Sequence, residues 1–254
     1  MATFEAQVEG LTSLSIDGSS APTQTELTQF LTDGAKEVIN HLPSNLLMIC
    51  CANQDFTSVV VNSEAEEVDT GKIFAVFAGT HEARKISSNA KHRANDSTSV
   101  EYATSTDPVY YFQNSFLNVL PSGETCKYEE VQYPAVAYGD SSISSFPDEA
   151  EYLIPLYASC KALQNAMGAM QASIVHSDQA GGYSAITSLS QGWENVRFWL
   201  ENEEDTEMSQ ATIASLGGEL QQFVTEYQWH QGQYQALKQD YGQGLAALKG
   251  GGQK

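Results

Sequence analysis

The chain has 254 residues, 41% hydrophobic and 17% charged, with twelve Tyr and ten Phe. That is enough apolar side chain to build a core, and it excludes a disordered chain. The 32 acidic residues against 12 basic ones leave a formal net charge of -20, which repels phosphate and disfavours a general nucleic-acid-binding surface. Surplus carboxylates serve solubility, and they also suit the one case in which DNA must slide past a wall without sticking to it. No stretch approaches the ~20 apolar residues that span a bilayer, and Met1-Ala2-Thr3-Phe4-Glu5 lacks the basic start of a signal peptide. Cys50, Cys51, Cys126 and Cys160 show neither CxxC spacing nor disulfide-rich density, so thiols in a reducing cytoplasm are expected.

Residues 1–22 are rich in Gly, Ser, Thr and Ala and read as an extended arm. Thr23 and Glu26 have the spacing of a capping box, in which each side chain satisfies a backbone donor at the helix start. Leu27, Phe30, Leu31, Ala35, Val38, Ile39 and Leu42 then place one apolar stripe on a helix that Pro43 ends. From Leu46 to about Tyr138 the period changes. Leu46–Ala52, Thr57–Val61, Ile73–Ala78 and Ser99–Ala103 read as short strands, and Thr80–Ser99 as a long polar loop. Val109–Phe112 and Phe116–Leu120 flank Gln113-Asn114-Ser115 as a hairpin, and Tyr128–Tyr133 and Ala135–Tyr138 complete the β region.

A helix opens at Phe146-Pro147-Asp148-Glu149, where proline loses no hydrogen bond and the carboxylates face the positive end of the helix dipole. Leu153, Leu156, Tyr157, Cys160, Leu163, Met167 and Met170 form its large-residue face. Ala158, Ala162, Ala166 and Ala169 form a second face, suited to close packing between subunits. Pro155 must kink this helix or lie within its opening turns. Gly181-Gly182 breaks the chain, a helix follows near Ser188–Asn202, and Glu201–Glu207 is acidic. Ile213, Leu216, Leu220, Phe223, Tyr227, His230, Tyr234, Leu237 and Tyr241 then keep a heptad seam, the period of helices packed side by side. Residues 250–254 read as a flexible tail. The fold class is therefore α+β: a helical bundle from 23–43 and 146–249 with an antiparallel β domain, 44–145, inserted.

No enzyme signature accompanies this layout, and no catalytic residue, metal site or cofactor is expected. There is no G-x-S-x-G elbow, no H-E-x-x-H, no EF-hand loop and no P-loop, and the five histidines are scattered. One local departure stands out. Arg84, Lys85, Lys91 and Arg93 are four of only twelve basic residues, a concentration suited to docking on an acidic protein partner or touching a phosphate backbone.

Three segments carry a family resemblance. They are the run from Phe146 through Ala166, the run from Leu31 through Asn40, and Asp107-Pro108-Val109-Tyr110-Tyr111-Phe112 continuing to Val119-Leu120-Pro121. Together they resemble a family of tailed-bacteriophage virion structural proteins, in the same order. The layout is also similar to head–tail connector, or neck, proteins, which form rings beneath the portal. That likeness implies a non-enzymatic adaptor ring of the virion, a dodecamer. Its partners would be the portal protein and tail proteins. DNA would pass through without sequence-specific binding, and no membrane would be involved. The alternative is another virion part: a tail, collar or capsid-decorating protein.

Overall fold

The computed structural model describes residues 2–57, 66–67, 72–113, 116–173, 196–201 and 206–251. Two compact units emerge. The first comprises residues 1–41, 135–143 and 148–253; the second comprises 42–134 and 144–147. No helix among the described residues is long and apolar enough to cross a membrane.

The first unit is helical. Helix α1, Phe4–Thr12, is capped by the Thr3 hydroxyl and buries Phe4, Val8 and Thr12, which corrects the expectation of an extended arm over residues 1–22. The Gly- and Ser-rich composition concealed an i, i+4, i+8 stripe, and the segment opens as a docked helix. Helix α2, Gln24–His41, buries the predicted face through Leu27, Leu31, Ala35, Val38 and Ile39. Its capping box is closed: the Thr23 amide donates to a Glu26 carboxylate oxygen at 2.8 Å, and the Glu26 amide donates to the Thr23 hydroxyl at 3.3 Å. Residues Ala135–Tyr138 are not a strand. Thr32 and Thr28 of α2 accept from the Val136 and Tyr138 amides through their hydroxyls, so side chains take the place of a strand partner.

Later in this unit come α5, Asp148–Glu151, α6, Leu153–Ser173, and α7, Thr206–Gly251. Helices α3, Ser44–Leu47, and α4, Lys91–Ala94, belong to the second unit. Pro155 is the third residue of α6, where the amide it lacks has no intrahelical acceptor, so the helix proceeds. At ~1.5 Å per residue, the 21 residues of α6 span about 32 Å and the 46 of α7 about 69 Å. The two run antiparallel: Gly244 lies on Leu153, the Tyr241 and Tyr157 rings are 5.7 Å apart, Leu237 packs with Cys160 and Leu163, and Gln164 donates to the Tyr234 hydroxyl at 3.1 Å. Where α2 crosses α6, Gly34 is required, because a Cβ there would lie 2.9 Å from Cδ1 of Tyr157.

The expected seam of α7 holds from Leu216 onward except at Leu220. Leu220 and Ile213 are exposed, while Thr212 and Leu216 are buried, so the stripe enters one residue earlier than a strict heptad places it. The helix also continues through Gly250 and Gly251, into the segment expected to be a flexible tail. The expected helix near Ser188–Asn202 is described only at 196–201, which is helical; Gly181-Gly182 lies outside the described residues.

The second unit is built from two four-stranded sheets. One has the order β1-β8-β3-β4 and the other β2-β7-β6-β5. The strands are β1 Cys51–Thr57, β2 Glu66–Glu67, β3 Ile73–Ala78, β4 His81–Glu82, β5 Arg84–Lys85, β6 Val109–Gln113, β7 Phe116–Leu120 and β8 Thr125–Val131. Pairing is antiparallel except between β5 and β6, which run parallel. Side chains alternate between faces along a strand, and the registers Val76↔Tyr128, Ala78↔Cys126 and Tyr110↔Val119 put these residues in one core with Ala83 and Leu117. Val109, Tyr111 and Leu120 point to the other face of their sheet and are covered by Ala94, Ala103 and Ile86.

Two expected strands of this unit differ. Leu46–Ala52 begins as helix α3, Ser44–Leu47, and a 3-10 turn, Met48–Cys50, before β1 starts. Pro43 both ends α2 and opens α3, its carbonyl accepting from the Leu46 and Leu47 amides. Ser99–Ala103 is a turn tied back by the Ala103 amide to the Ala94 carbonyl at 2.9 Å. Thr57–Val61 lies outside the described residues apart from Thr57, the last residue of β1. The expected loop Thr80–Ser99 contains β4, β5, a 3-10 turn over Ser88–Ala90 and α4, Lys91–Ala94.

Candidate functional site

The four clustered cations sit on ordered elements of the second unit, and they divide into two pairs. Arg84 and Lys85 form β5, the edge of its sheet. Arg84 is bonded to Asp107 at 3.3 Å, and Arg93, in α4, lies 3.8 Å from Glu101. Both arginines are therefore paired within the unit, in solvent-exposed contacts that link residues 84–107.

The lysines are placed differently. Lys85 holds its ammonium 5.4 Å from the centre of the Phe112 ring, drawn by the negative face of the π system. Phe112 in turn meets Tyr110 edge to face, with centroids 5.9 Å apart. Lys91 donates to the Gln113 side-chain oxygen at 2.9 Å. Among the described residues, no carboxylate pairs with either lysine. Phe112 and Gln113 are consecutive, so their side chains leave opposite faces of β6, and the two ammonium groups straddle the exposed end of that strand. Residues 81–107 contain four basic and four acidic side chains, so this segment is neutral and the rest of the chain carries the whole net charge of -20.

The alanine face of α6 is placed otherwise than a contact between subunits requires. Ala158, Ala162 and Ala166 are buried within this chain's own helical unit, and Ala169 alone of the four is exposed. Small residues there let neighbouring helices approach closely, and the close approach is intramolecular.

A polar layer crosses the helical core. Burial, then the nearby Glu37 carboxylate, pushes the Tyr241 phenol well above its ordinary range, and Tyr157 is raised by the same two causes in the same order. Burial likewise pushes the thiols of Cys50 and Cys160 up to about 11, so both are protonated at neutral pH and poor nucleophiles. All four cysteines are thiols.

The histidines do not gather. His41 bonds the Glu37 carbonyl at 2.8 Å, His81 and His92 lie on the surface of the β unit, and His230 is buried on the α7 seam; His176 lies outside the described residues. Among the described residues no three His, Cys, Asp or Glu side chains are grouped so as to hold a metal. An open hollow of about 500 Å3 follows one side of α7, lined by Gln221, Gln222, Thr225, Glu226 and Trp229, and it brings no titratable pair together. Sequence reading located the basic cluster but not its division. Phe112 and Gln113 were missed as its partners because their place beside Lys85 and Lys91 depends on the parallel β5–β6 pairing.

No family model matches the chain, and no curated protein is found to be similar to it.

Proposed function

We propose that this chain is a structural component of a tailed-phage particle, acting as an adaptor ring at the head–tail junction beneath the portal. The resemblance of its three segments to virion structural proteins raises the reading. The observation that carries it is architectural: a helical unit and an inserted β unit, each with its own core, on a strongly acidic chain. The action is mechanical. Copies meet head to tail through an interface that closes, extend the DNA channel, and present a platform to the tail, while surplus carboxylates keep the passing duplex from adhering. The chain has no catalytic part in this role.

Coexpression with a portal protein from the same genome tests the reading. The adaptor should co-purify with the portal as one particle, in the proportion of a dodecamer on its ring. A portal that leaves the column without it would move the assignment to a tail, collar or capsid-decorating role.

A further inference from the structure

We draw no further inference here: the strongest candidate, the face of α7 on which the apolar side chains of Ile213, Leu220 and Val224 are exposed, is an unpartnered helix face, and nothing in the structure shows what covers it.

Discussion

Replacing glycine by alanine at two helical positions should change stability in opposite directions, and the crossing of α2 and α6 decides the sign. In a helix interior, alanine is favoured over glycine by about 1 kcal/mol, since glycine loses more backbone freedom on folding. At Gly168, in α6, an added Cβ meets nothing within 4 Å, so that gain stands. At Gly34 the same atom would lie 2.9 Å from Cδ1 of Tyr157 and 3.3 Å from its Cβ and Cγ. The Tyr157 Cβ is fixed to the α6 backbone and cannot swing aside, so the helices must part. Overpacking of this kind costs about 1–3 kcal/mol, which outweighs the propensity gain. G168A should be more stable than wild type by about 1 kcal/mol and G34A less stable by a similar amount. For a chain of this size each kcal/mol shifts Tm by about 2–4 °C, so the variants should differ by roughly 4–8 °C. Intrinsic fluorescence reads the relevant unit, because Trp199 and Trp229 belong to the helical unit. A G34A variant as stable as G168A would refute the close crossing.

Two further outcomes concern titrating groups. The Thr23 backbone and hydroxyl, with a smaller contribution from Asn165, hold the Glu26 carboxyl below its ordinary range. Its contribution is therefore present above the unfolded-state value near 4.5 and lost as pH falls through the lower folded-state value. In urea titrations from pH 6 to pH 3, T23A should lose about 0.5–2 kcal/mol at pH 6, and E26Q should start lower than wild type and converge with it in acid. Parallel curves for wild type and E26Q would contradict the cap. Tyr241 is raised by burial and Glu37, so its neutral form favours the fold. That stability holds below the unfolded value near 10 and declines as pH rises above it. Followed by tyrosinate absorbance, the Tyr157 and Tyr241 phenols should ionise late, as helical dichroism is lost. Y241F should remove one phenol from that late step, and an early, reversible titration of Tyr241 would contradict its burial.

Local chemistry made much of this fold legible. The capping box at Thr23, the stripe of α2, strand β3 and the β6–β7 hairpin follow from spacing within a few residues, where one periodicity dominates. The misreadings share a physical cause, which is that the deciding partner is distant in sequence. Phe4 and Val8 form a helix because α6 offers a surface to bury them on, which no property of residues 1–22 announces. Ala135–Tyr138 has strand composition but bonds to Thr28 and Thr32, more than a hundred residues earlier. The alanine stripe of α6 was visible, yet whether it meets the same chain or another depends on where α1, α2 and α7 lie. In the basic cluster, composition reveals four cations, whereas the fold shows that two of them face Asp107 and Glu101.

Negative-stain imaging of the purified chain, alone and mixed with a portal protein from the same genome, tests the central claim most directly. The account predicts closed rings whose class averages show twelvefold symmetry, stacked on one face of the portal. A sixfold ring, or a chain that neither closes nor binds the portal, would contradict it.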